Sequence, residues 1–96
     1  MSNKRKWKAL ACELKDWGEN VLVYHFPSGN THLLNPTAAL TLELIIKNPR
    51  TTWDLAQQLS SILELKFDQE VITHVQVILD NLDELGLIEP MGLAPS

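Results

Sequence analysis

The apolar residues of this chain change their period once, near Asn35, and that change constrains the fold more than any other feature. Before it, they recur at every second residue, the spacing of a half-buried strand. After it, they recur at the intervals of an amphipathic helix. In residues 9–15 the larger apolar groups Leu10, Cys12 and Leu14 alternate with smaller or charged neighbours, which predicts a first strand. Asp16-Trp17-Gly18-Glu19-Asn20 supplies turn formers. Asn20-Val21-Leu22-Val23-Tyr24-His25-Phe26 is rich in β-branched and aromatic residues and predicts the second strand. Pro27-Ser28-Gly29-Asn30 then closes a hairpin, since glycine accepts a left-handed conformation there. Residues 31–34 form a short third strand.

Three helices follow, each punctuated at its ends. Asn35-Pro36 is an N-cap with proline at the first helical position, where its missing N–H costs nothing, and Asn48-Pro49 ends that helix. Thr51 or Thr52 caps the second helix, with Asp54 in a capping-box position after Thr51. Its apolar positions are Leu55, Ala56, Leu59 and Ile62 or Leu63. Asp68 caps the third helix, and Phe67 and Ile72 stand where a hydrophobic staple would clamp its entry. Val71, Ile72, Val75, Ile78, Leu79, Leu82 and Leu85 form one stripe at helical spacing, stopped by Gly86, with Leu82 and Leu87 placed for the apolar contact of a glycine C-cap. The expected fold is α+β: a three-stranded antiparallel sheet followed by a three-helix bundle, β-β-β-α-α-α, winged-helix-like. A single domain over residues 7–90 is expected, between a flexible basic arm (1–6) and a flexible tail (91–96).

A hydrophobic fraction of 45% and a charged fraction of 21% are those of a globular chain rather than a disordered one. No apolar run is long enough to span a membrane, and no signal-peptide pattern follows the basic start. Cys12 is the single cysteine and has no intramolecular partner, which fits a reducing, cytoplasmic setting. Charge is divided along the chain. Residues 1–50 hold seven Lys/Arg (Lys4, Arg5, Lys6, Lys8, Lys15, Lys47, Arg50) against four acids. Residues 51–96 hold Lys66 alone against Asp54, Glu64, Asp68, Glu70, Asp80, Asp83, Glu84 and Glu89. The basic start reads as a solubilising terminus rather than a binding arm. Of Trp7, Trp17 and Trp53, Trp17 at its turn is the best candidate for an exposed aromatic.

A catalytic constellation is missing from the pattern, and the expectation is a non-enzyme. Cys12 on an apolar strand reads as a core or half-buried thiol. His25, His32 and His74 lack metal-ligand spacing, and the four glycines are dispersed rather than gathered in a phosphate loop. His25 and His32 on linked strands read as a structural cross-strand pair. No metal and no cofactor are expected.

Two binding readings remain. Thr52-Trp53-Asp54-Leu55-Ala56-Gln57-Gln58-Leu59 has the look of the first helix of a helix-turn-helix unit, which would make residues 68–85 a DNA-recognition helix. That helix carries Glu70, Asp80, Asp83 and Glu84 with no Lys or Arg, the wrong sign for a polyanion, so no nucleic acid is expected. The other reading uses the sheet, whose short third strand leaves an edge open to strand addition. On pattern alone this edge could equally be guarded by its shortness or paired in a homodimer.

Ser28-Gly29-Asn30-Thr31-His32-Leu33-Leu34-Asn35-Pro36-Thr37-Ala38-Ala39, with the tail Leu82-Asp83-Glu84-Leu85-Gly86-Leu87-Ile88-Glu89-Pro90, resembles the PqqD family, and within it the branch associated with HPr-kinase-related proteins. The resemblance runs from about Trp7 to Pro90. Its specific part is the Thr-His-Leu-Leu-Asn-Pro run, since the Leu-Gly-Leu-Ile-Glu-Pro ending is shared with many winged-helix domains. It implies a peptide chaperone that holds a precursor or partner peptide along the third strand, in a cleft against the third helix, and presents it to a peptide-modifying or kinase-like enzyme. Carried over by position, the cleft would be walled by Asn30, Thr31, His32, Leu33 and Leu34 and by Val71, His74, Val75 and Ile78. On the third helix His74, Ile78, Asn81 and Leu85 fall along one border of the apolar stripe, and Ile72, Gln76 and Asp83 along the other; the His74 side is favoured. The resemblance implies peptide binding and not the quinone-cofactor pathway in which the best-understood members act.

Overall fold

The structure is a computed structural model and describes residues 6–91. It is an α+β domain with two three-stranded antiparallel sheets and three helices. In chain order the elements are β1 (Lys6–Ala9), β2 (Cys12–Trp17), β3 (Asn20–His25), β4 (Asn30–Leu34), α1 (Pro36–Lys47), β5 (Arg50–Thr51), α2 (Thr52–Ile62), α3 (Gln69–Glu84) and β6 (Ile88–Pro90).

The expected order of three strands and then three helices is therefore corrected. The predicted first strand is two strands, β1 and β2, broken at Leu10–Ala11; the Leu10 N–H still donates in the β1–β6 register, to the Leu87 carbonyl at 2.9 Å, before the chain passes to the other sheet. β5 and β6 lie after the helical region begins, and both pair with β1 in the order β5-β1-β6. Lys6 and Lys8, expected in or beside a flexible arm, belong to β1, with Trp7 between them buried in the core and Lys8 paired to Glu89 at 3.1 Å. The remainder of the expected arm and the tail beyond Met91 lie outside the described residues.

The second sheet has the order β2-β3-β4 and follows from the turn chemistry. Gly18, at φ 68°, is first in a two-residue turn that places Trp17 opposite Asn20. Gly29, at φ 74°, donates its N–H to the His25 carbonyl at 2.8 Å and turns the chain into β4. One face of the sheet, built on Cys12, Leu14, Val21, Val23, His25, His32 and Leu34, packs towards the helices.

The helix ends stand where side chains or backbone satisfy their orphan groups. Asn35 Oδ1 accepts from the Ala38 N–H at 2.8 Å, Thr51 Oγ1 from Asp54 at 3.0 Å and Asp68 Oδ1 from Val71 at 3.2 Å. α3 ends in a Schellman motif: Leu87 N–H donates to the Leu82 carbonyl and Gly86 N–H to Asp83, both at 3.0 Å, with Gly86 at φ 78°. α2 ends the same way, Leu65 N–H to Ser60 at 2.8 Å and Glu64 N–H to Ser61 at 3.4 Å, but the left-handed residue there is Glu64, at φ 56°. Leu42, Leu55, Leu79, Leu82, Leu87 and Ile88 form the centre of the core, and each is worth about 2–3 kcal/mol by burial alone.

Candidate functional site

β4 is an edge strand, and the ladder shows which of its peptide groups are free. Phe26 N–H donates to the Ala11 carbonyl at 3.1 Å, flanking the Cys12–His25 pair and setting the alternation along β3. Leu22 and Tyr24 consequently bond towards β2, whereas Val21, Val23 and His25 bond towards β4. Their partners Leu34, His32 and Asn30 turn their main chain inward. Thr31 and Leu33 turn theirs away from the sheet, and among the described residues no strand pairs with β4 on that side.

The side chains of Thr31 and Leu33 lie on the face opposite the core, where Trp17, Leu22 and Tyr24 also stand. Trp17, at 61% exposure, is the most exposed of the three tryptophans, as its turn position predicts; Trp53 is also exposed, though it packs edge-on against Phe67 with ring centroids 5.0 Å apart. Phe26 packs edge-on against Tyr24, 5.1 Å between centroids, and extends the apolar row.

A groove of about 730 Å³ runs along one flank of α3. Val71, Thr73, His74, Val75 and Val77 form one wall. Leu59 and Leu63 of α2, with Leu65 and Lys66 of the connecting segment, form the other. Thr37, three residues past the end of β4, also lines it, so the strand leads to the groove rim. The left-handed turn at Glu64 reverses the chain between Leu63 and Leu65, leaving both exposed.

The nine residues that the sequence placed in one cleft are divided by the structure. Val71, His74 and Val75 line the groove, on the His74 flank of α3; none of Ile72, Gln76 and Asp83 does. Asn30, Thr31, His32, Leu33 and Leu34 make the edge strand but do not line the groove, and Leu34 faces the core. Ile78 is in the core at 7% exposure. Sequence reasoning gave Val77 no role, yet it lines the groove at 54% exposure. It also left Leu63 and Leu65 out of the site; their signal was a run of apolar residues past the natural end of α2.

His25 and His32 share the core-facing side of the sheet but are not opposite one another: His25 pairs with Asn30, and His32 with Val23. His25 Nδ1 is 2.7 Å from Ser28 Oγ, while Nε2 of both rings is buried without a partner. Among the described residues no group of three or more His, Cys, Asp or Glu side chains is placed to hold a metal ion. Cys12, opposite His25, is half-buried, and that burial pushes its thiol above the ordinary value, away from the nucleophilic thiolate. Among the described residues no helix is long and apolar enough to cross a membrane.

Comparisons with protein-family models, with curated proteins and with solved structures find no match to this chain.

Proposed function

We propose that this domain is a non-catalytic, cytoplasmic module that holds an extended segment of another polypeptide by strand addition and presents it to a modifying or kinase-like enzyme. One observation carries the reading: Thr31 and Leu33 offer N–H and C=O groups outward from an edge strand that leads to an apolar groove. Main-chain pairing holds a guest without demanding particular side chains, and flanking apolar surfaces select among guests through alternate positions. The Thr31-His32-Leu33-Leu34-Asn35-Pro36 run, similar to that of the PqqD family, supports the same assignment and with it a winged-helix-like arrangement.

The test is an NMR titration of the full chain with a peptide encoded beside it. Amide shifts concentrated in residues 30–34 and 71–77 are expected. Shifts confined to residues 52–59, or displacement of the peptide by a defined DNA duplex, overturn the reading in favour of a helix-turn-helix regulator. The exposed surface of α3 opposes that alternative, because it carries Glu70, Asp80, Asp83 and Glu84 and no Lys or Arg.

A further inference from the structure

The surface around the groove is predominantly acidic, with Lys66 the one cation in its lining. Lys66 is the single cation among the described residues from Thr51 onward, against eight carboxylates. Asp54 is held by Arg50 and Glu89 by Lys8, and Asp68 is engaged as the cap of α3. Glu64, Glu70, Asp80, Asp83 and Glu84 make no ion pair among the described residues. Of these, Glu70 lines the groove, one helical turn before His74 and two before Val77. The Val71 N–H at the start of α3, which would otherwise attract an anion, is already bonded to Asp68.

A strand added to β4 has a defined orientation. Guest residues bonded to Thr31 and Leu33 would place their side chains on the outer face, beside Leu33, Leu22 and Tyr24. The guest residues between them would point to the helix side of the sheet, and Thr37, just past the end of β4, lines the groove. We infer that the preferred guest is a cationic alternating segment, with β-branched or aromatic residues on the outer face and lysine or arginine on the helix side, reaching Glu70. This rests on the peptide-holding reading and adds the class of peptide. Both features that it uses, the apolar outer row and the unpaired carboxylate in the groove, are independent of the strand edge itself.

The probe is a synthetic peptide alternating valine with lysine, compared with its glutamate counterpart, each titrated into the isotope-labelled full chain. The lysine peptide is expected to shift the amides of Thr31 and Leu33 and of residues 70–77, and to bind about tenfold more tightly than the glutamate peptide. Glu70→Lys should remove most of that preference. Glu84→Lys, at the far end of α3 and outside the groove lining, should leave most of it and serves as the control for a general attraction to an acidic protein. Equal binding of the two peptides, or equal loss in the two variants, overturns the charge selectivity while leaving the edge reading intact. If neither peptide moves Thr31 and Leu33, the edge reading fails and the inference falls with it.

Discussion

Leu33 lies directly opposite Leu22 in the β3–β4 register, yet it remains 54% exposed because no helix or strand among the described residues covers their shared face. Leu33 also turns its own N–H away from the sheet, whereas its neighbour His32 is in register with Val23 and bonds inward. Proline at these adjacent positions should therefore have opposite consequences. Leu33→Pro removes an outward donor from an edge strand and should cost less than about 1 kcal/mol of stability while abolishing peptide binding. His32→Pro removes a ladder bond and should cost roughly 2 kcal/mol or more. Urea unfolding and the peptide titration, run on both variants, separate the two effects.

The two Schellman motifs predict substitutions of opposite sign. Gly86→Ala forces a Cβ into left-handed backbone and should destabilise by about 1 kcal/mol. Glu64→Gly relieves that strain at the end of α2 and should stabilise by up to about 1 kcal/mol. Thermal melts of both single variants check the pair; a destabilised Glu64→Gly would mean that the Glu64 side chain contributes more than its backbone costs.

Arg50 joins two helix ends. Its Nε donates to the Leu44 carbonyl at 2.8 Å, and its Nη1 lies 3.1 Å from Asp54 Oδ2. Arg50→Ala should lower stability by about 1 kcal/mol through the lost bond to the Leu44 carbonyl, which still accepts from the Asn48 N–H. Asp54→Asn should cost under about 1 kcal/mol, because that carboxylate is partly solvated. Denaturant midpoints at matched ionic strength distinguish them.

Cys12 predicts a pH signature. Its thiol is raised by burial in the folded chain, so the unfolded chain loses the proton first as pH rises. The associated stability is complete below the ordinary cysteine value and falls as pH climbs towards the folded value. Cys12→Ser should flatten this alkaline decline. Alkylation with iodoacetamide near pH 8 should run several-fold slower in the folded protein than in urea.

The helices were legible because their signals are local. Asn35, Thr51, Asp68 and Gly86 each stand within a few residues of the groups that they satisfy, and the α3 stripe repeats over many turns. β1, β5 and β6 were not, since strands of two to four residues are too short to establish a period. Their pairings, Lys6 with Thr51 and Ala9 with Ile88, join residues distant in the sequence and leave no local trace. The open edge was legible from the turn and the shortness of the third strand. The groove was only half legible: helical period located the His74 flank of α3, but the opposite wall depends on Glu64 adopting a left-handed conformation, which nothing in its residue type announces.

β1 has one more consequence. Because it runs antiparallel to β6, and the Met91 N–H donates to the Lys6 carbonyl at 2.8 Å, the chain enters and leaves the domain through the same doorway. A protein fused directly at Lys6 or at Met91 would depart from one corner, and a short linker joining these two residues should close the backbone into a ring that still folds.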